Sequence, residues 1–140
     1  MFTKKRIVLL IVATLTMLAQ VAMAEVGNGI EPNYTSTEKV YATLTISGEK
    51  AKVDGESKGS LSDATTKLTV SLQRRPTGGS TWSTLATWTD QASGKAQAIV
   101  KKTYDVDRGN DYRVKAVSKI VNKEGVILET VTKYSGIKSY

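Results

Sequence analysis

The chain opens on an apolar run and then changes to alternating hydrophobic and polar residues. The alternation is clearest at 39–47, 66–74 and 111–121, where nearly every second residue is apolar. A period of two places successive side chains on opposite faces of a β-strand, so each segment is predicted to bury one face. Four less regular segments predict further strands, at Glu49–Ser57, Thr81–Thr89, Lys95–Tyr104 and Val126–Tyr134.

Turn-forming residues separate these seven predicted strands. The stretches RPTGGS, DVDRGN and NKEG each contain residues that favour turns. Short strands at regular spacing, with no helical period between them, are typical of an all-β sandwich. We therefore predict a single seven-stranded antiparallel β-sandwich over 39–140, preceded by a flexible segment at 25–38.

The apolar N-terminal run has the layout of a secretory signal peptide. Lys4, Lys5 and Arg6 precede the apolar residues 7–22, and Ala22-Met23-Ala24 forms an A-x-A cleavage pattern. We predict cleavage between Ala24 and Glu25 and release outside the cell, with an uncleaved membrane anchor as the alternative. Removing 24 of 140 residues leaves 116, with 17 basic and 13 acidic residues, a net charge of +4.

The composition argues against several kinds of chemistry. The chain has no histidine and no cysteine, so nucleophile–histidine pairs and the usual zinc ligand sets are missing. We predict a protein that is not an enzyme and needs no cofactor or metal. A charge of +4 without a dense basic block does not favour nucleic acid, and contact with a membrane is expected only through an uncleaved signal peptide.

Three carboxylates around one turn offer the main alternative. Asp105, Asp107 and Asp111 have a spacing similar to a calcium loop, and paired carboxylates can also hydrolyse glycosides. The twelfth position from Asp105 is Ala116, where an EF-hand requires glutamate. A plain turn is the favoured interpretation, since Asp, Asn and Gly all favour turns locally.

The stretch DRGNDYRVKAVS resembles the corner between the fifth and sixth strands of fibronectin type III and Ig-like sandwiches. In that comparison Tyr112 is the corner tyrosine, whose hydroxyl bonds back to nearby backbone. The segments YATLTISG, LQR, TWSTLATW, YRVKA and VTKYS resemble a family of small secreted proteins of Gram-positive bacteria, of unknown function. This resemblance implies a signal peptide followed by one sandwich, and it implies no catalytic residues.

Both tryptophans lie in the stretch TWSTLATWT. In a regular strand Trp82 and Trp88 share a face, about 20 Å apart, which is too far for both to stack on one sugar ring. Leu85 then points to the opposite face, so either a β-bulge changes the phase or something apolar is exposed. We predict that at least one tryptophan belongs to the core.

Basic residues alternate along the sixth predicted strand and define the remaining candidate surface. Arg113, Lys115 and Lys119 point outward, and basic residues at 74–75 and 101–102 would join them if those strands were neighbours. The alternative is a solvated sheet face whose lysines discourage edge pairing. The candidate ligand contacts are Trp82, Trp88, Arg113, Lys115 and Lys119.

These observations lead to a function by elimination. We expect a secreted, non-catalytic extracellular binding module whose partner is an unknown extracellular polymer, glycan or protein. The alternative is a secreted cationic effector, either bacteriocin-like or membrane-active. The placement of the cations on strands counts against that alternative, because membrane-active proteins usually carry them on an amphipathic helix.

Overall fold

The computed structural model describes residues 34–140. The predicted signal peptide, its cleavage position and most of the predicted flexible segment lie outside these residues. In the described part of the chain no helix is long and apolar enough to cross a membrane. The strands are β1 (Thr37–Ser47), β2 (Lys50–Gly59), β3 (Thr65–Pro76), β4 (Ser83–Ser93), β5 (Gln97–Asp105), β6 (Asn110–Val121), β7 (Ile127–Tyr134) and β8 (Lys138–Ser139).

The strands form two antiparallel sheets. The first sheet has the order β1-β2-β5, and the second has the order β4-β3-β6-β7. The two-residue strand β8 pairs with the beginning of β6. The prediction of an all-β fold with seven main strands is therefore confirmed, while β8 was not predicted because two residues carry no periodicity.

The core lies between the sheets and follows the alternation of the sequence. In β3 the side chains of Leu68, Val70 and Leu72 are buried, and in β6 those of Val114 and Ala116 are buried. The first sheet contributes core residues from each of its three strands, among them Leu44, Val53 and Val100. The inward faces predicted from the period of two are therefore confirmed for these strands.

The two sheets pack closely at a glycine of β2. A Cβ atom added to Gly55 would lie 2.4 Å from the Cγ2 atom of Val70 in β3. Real Cβ atoms do not come this close to a neighbour, and a buried valine has little rotamer freedom with which to move aside. The glycine therefore allows close packing of the sheets.

Most strand ends differ from the prediction by one or two residues, and two of the differences have a clear structural cause. β1 begins at Thr37, and the backbone amides of Thr35 and Ser36 donate to the Glu129 carboxylate at 3.1 and 3.2 Å. The last residues of the predicted flexible segment are thus fixed against β7. β4 continues to Ser93, through a polar stretch that was predicted to end the strand. The chain changes direction only at the next residue, Gly94, which has a φ of +62°.

Candidate functional site

A β-bulge in β4 places the two tryptophans on opposite faces of the second sheet. Leu72 of β3 pairs with Ala86, and the next residue, Gln73, pairs with Thr84, so Leu85 has no partner on β3. The extra residue changes the phase of the strand. The prediction that both tryptophans share a face was wrong, and the bulge considered as its alternative is present.

Trp88 faces the interior. Its ring meets that of Tyr104, in the other sheet, edge to face with centroids 6.2 Å apart. Both side chains pack against the hydrophobic core, as does Leu85. The prediction that at least one tryptophan packs in the core is confirmed. Trp88 does not lie on the outer surface of the sheet, so it is not a ligand contact there.

Trp82 lies outside the sheet in a stack of rings and arginines. The Arg113 guanidinium carbon is 4.2 Å from the Trp82 ring centre and 4.4 Å from that of Tyr134. The guanidinium of Arg75 lies 4.6 Å from the same Trp82 ring. We call Arg75, Trp82, Arg113 and Tyr134 the aromatic–arginine stack.

A side chain of the neighbouring strand β3 holds Arg113 in the stack. The Nε of Arg113 donates to the Oε1 of Gln73, its register partner on β3, at 2.8 Å. Each cation–π contact stabilises by about 0.5–1 kcal/mol at an exposed site, and by more when water is excluded. Arg113 is therefore fixed in position, while the Tyr134 ring remains 49% exposed.

Lys115 and Lys119 continue outward from Arg113 along β6. Lys115 lies opposite Ser71 of β3 and Tyr134 of β7, and Lys119 lies opposite Lys67 of β3. We call the outward surface of β4-β3-β6-β7, with Lys67, Arg113, Lys115 and Lys119, the cationic face. Sequence analysis identified three of these four residues.

Most of the other basic residues considered from the sequence, at 74–75 and 101–102, do not lie on the cationic face. Lys101 and Lys102 belong to β5 in the first sheet, whereas the neighbours of β6 are β3 and β7. Of the two arginines at the end of β3, Arg75 joins the stack and Arg74 lies 3.9 Å from the Asp107 carboxylate. Sequence order did not reveal which strands are neighbours.

A carboxylate beside the stack, Asp111, is paired with one of the stack's own arginines. Asp111 is 6% exposed, accepts from the Nε of Arg75 at 3.1 Å and accepts from the Ser139 hydroxyl at 2.6 Å. These two hydrogen bonds, the one from Ser139 first, hold the pKa of Asp111 below its ordinary value. The carboxylate remains charged at neutral pH and leaves no free negative charge beside the stack.

An open groove of about 420 Å³ lies at the opposite end of the cationic face, between β3 and β4. Its polar lining is Lys67, Thr69, Thr89, Asp90 and Gln91, and the Oδ2 of Asp90 accepts from the backbone amide of Ile99 at 2.8 Å. The groove is about six residues along β6 from Arg113, and a strand rises about 3.3 Å per residue. An elongated ligand on this face would therefore extend about 20 Å from the stack to the groove.

The three carboxylates considered for calcium or hydrolysis have separate partners. Asp105 pairs with Lys50, Asp107 lies near Arg74, and Asp111 pairs with Arg75. Within residues 34–140 no group of three or more acidic residues is placed to hold a metal ion. The backbone of Asp107 instead accepts from the Tyr112 hydroxyl at 2.6 Å and donates to it at 3.0 Å. The predicted corner hydrogen bond of Tyr112 is confirmed.

The outer surface of the first sheet carries an ion network of its own. Glu56 of β2 accepts from the Tyr41 hydroxyl and, at 3.0 Å, from the Lys39 ammonium. The Tyr41 bond first, and then the Lys39 bond, lower the pKa of Glu56, and the same contact with Glu56 raises the pKa of Tyr41. The outward positions of this sheet thus mix carboxylates with lysines, including Asp54 and Glu56 beside Lys52 and Lys101, whereas the cationic face has no carboxylate between its cations.

No protein-family model matches the chain, and no curated protein matches it. Among solved structures it is similar to CsgH from R. palustris, with 13% identity and a TM-score of 0.40 over 69% of this chain and 88% of that one. It is also similar to the curli protein CsgC from E. coli, with 14% identity and a TM-score of 0.40 over 71% and 97%. A third is Spo0M, a sporulation control protein from Bacillus subtilis, with 12% identity and a TM-score of 0.38 over 75% and 48%. These likenesses are too distant to transfer a function, and the resemblance to a Gram-positive family stays a prediction.

Proposed function

We propose that this chain is a secreted, non-catalytic binding module that holds an extracellular polymer on its cationic face. Secretion rests on the signal-peptide layout of residues 1–24. The absence of a catalytic role rests on the missing histidine and cysteine and on the separate pairing of the three aspartates. The partner is a glycan, another polymer or a protein outside the cell.

We also propose that the fold is of the fibronectin type III or Ig-like kind. A three-stranded and a five-stranded antiparallel sheet, the second including the short β8, enclose one core, and a buried tyrosine bonds back to the corner before β6. Many cell-surface domains with this architecture act in binding, and they do so through sites that differ from one domain to the next. The function therefore has to be argued from the site.

The aromatic–arginine stack is the observation that carries the proposal. Arg113 contacts the rings of both Trp82 and Tyr134, and its Nε donates to Gln73 on the neighbouring strand. Rings and guanidinium groups that are already held in place lose little side-chain freedom when a ligand binds. The stack is already ordered and lies on an exposed sheet face. It is therefore better suited to bind a ligand than only to stabilise the fold.

One surface favours the second candidate function, the membrane-active effector. Val126, Ile127 and Leu128 are each about half exposed at the β6–β7 hairpin, where the Asn122 side chain accepts from the amides of Glu124 and Val126. Burying the exposed halves of three aliphatic side chains stabilises by about 1 kcal/mol each, which is marginal for anchoring to a membrane. Leakage of dye from vesicles at low protein concentration is the result that would favour this candidate.

The proposal is tested with two single-tryptophan variants. Trp88→Phe leaves Trp82 as the reporter on the cationic face, and Trp82→Phe leaves Trp88 as the matched reporter in the core. Purified glycans and soluble cell-wall polymers are added while fluorescence quenching by iodide is measured. We expect a binding polymer to protect Trp82 at least twofold and to leave Trp88 unchanged. Binding that alters Trp88 alone, or that survives Trp82→Ala combined with Tyr134→Ala, would contradict the proposal.

A further inference from the structure

We propose that the ligand of the cationic face is an acidic polysaccharide, a hydroxyl-rich chain with repeated negative groups. This inference rests on the proposed function and names the class of its ligand. The shared chemistry is an anionic group on a sugar, and the group is a carboxylate or a sulfate.

Charge is the first argument. The charged side chains at outward positions of β4, β3, β6 and β7 are five cations, Lys67, Arg75, Arg113, Lys115 and Lys119, and one carboxylate, Asp111, which is paired with Arg75 at one end of the face. Among residues 34–140, the ion pairs join other lysines and arginines to carboxylates and include none of the four residues that define the cationic face. The face thus holds four positive charges without carboxylates between them, and it attracts polyanions.

The cross-strand pair of Lys67 and Lys119 strengthens this argument. The two residues are direct register partners on β3 and β6. Like charges directly opposite each other destabilise a sheet, so this pair opposes folding. An anionic group bound between the two ammonium groups would relieve that repulsion, and the groove beside Lys67 provides the space.

The polar surface between the cations indicates a sugar rather than a protein. Exposed or half-exposed threonines lie across the face, at Thr69, Thr84, Thr87, Thr89, Thr130 and Thr132. Hydroxyls of this kind donate to and accept from the hydroxyls of a glycan. Protein interfaces instead need an apolar core with buried anchors, and Val117, which is half-buried, is the aliphatic residue at the centre of this face.

Tyr134 provides an aromatic surface for a sugar ring at the other end of the face. Its ring is about half exposed, and the Arg113 guanidinium covers one side of it. A sugar ring packs its apolar C–H face on an aromatic ring while its substituents reach neighbouring polar groups. Lys115, the register partner of Tyr134, is placed to meet an anionic substituent of a sugar stacked there.

The experiment measures binding of the purified protein to polygalacturonate, dextran sulfate, neutral dextran and polyglutamate. We expect the two acidic polysaccharides to bind at least tenfold more tightly than dextran and polyglutamate, and to weaken between about 0.05 and 0.5 M salt as charges are screened. Polygalacturonate and dextran sulfate separate carboxylate from sulfate. Lys115→Glu combined with Lys119→Glu should weaken binding at least tenfold.

The matched control is Lys52→Glu combined with Lys95→Glu, which makes the same change in net charge away from the cationic face. We expect the control to bind within threefold of the unchanged protein, and circular dichroism checks that both variants are folded. Equal losses in both double variants, or equal binding of polyglutamate, would overturn the inference. Binding of a neutral glycan that is lost in Trp82→Ala would overturn it too, while leaving the proposed function intact.

Discussion

Replacing Gly55 with alanine is expected to lower the free energy of unfolding by about 2–3 kcal/mol. The added Cβ would lie 2.4 Å from the Cγ2 atom of Val70, which is fully buried in the opposing sheet. The stiff valine cannot rotate away, so the two sheets must separate or strain. Urea denaturation followed by tryptophan fluorescence measures the change.

Two further variants test whether the clash with Val70 causes this loss of stability. Gly136 has no atom within 4 Å of an added Cβ, so Gly136→Ala is expected to stay within about 0.5 kcal/mol of the unchanged protein. In a Val70→Ala background the clash is removed, and Gly55→Ala should then add no further loss. A single Gly55→Ala variant as stable as the unchanged protein would show that the sheets are not this close.

The second large effect is expected for Tyr112→Phe, which should cost about 2 kcal/mol. The Tyr112 hydroxyl donates to the carbonyl of Asp107 and accepts from the amide of the same residue. Removing it leaves both backbone groups without that partner at a part-buried corner, and unpaired groups of this kind cost about 1–3 kcal/mol. We also expect faster hydrogen exchange at the Asp107 amide, measured by nuclear magnetic resonance.

Tyr134→Phe is the matched control for this prediction. It removes a hydroxyl from an exposed position and keeps the ring against Arg113, so stability should change by less than about 0.5 kcal/mol. If Tyr112→Phe and Tyr134→Phe were equally stable, the corner hydrogen bond would not contribute to the fold.

The fold was predictable where the alternation is regular. Leu68, Val70 and Leu72 were predicted to be inward from their period alone, and they are buried. The resemblance of the stretch DRGNDYRVKAVS to Ig-like sandwiches implied that Tyr112 is a corner tyrosine, and its hydroxyl makes the expected bond. These features depend on local sequence, which a single chain displays directly.

The candidate site was predictable only in part. The phase of β4 changes at Leu85, and the apolar residue on the wrong face was the signal that pointed to a bulge. The sequence did not place Gln73 beside Arg113, because β3 and β6 are far apart in the chain. It did not place Tyr134 there either, because the register of the β6–β7 pair contains an irregularity that the pattern does not show. Lys67 was missed for the same reason as Gln73, since its partner Lys119 is distant in sequence.

The most direct test of the account locates the bound polymer on the protein. Backbone amide shifts of the isotope-labelled protein are recorded by nuclear magnetic resonance during titration with polygalacturonate oligomers. The account predicts changes concentrated at 67–73, 113–119 and 130–134, together with the Trp82 indole signal, and little change along β1, β2 and β5. Changes concentrated on the outer surface of the first sheet, around Tyr41 and Glu56, or at the hairpin of Val126–Leu128, would contradict it.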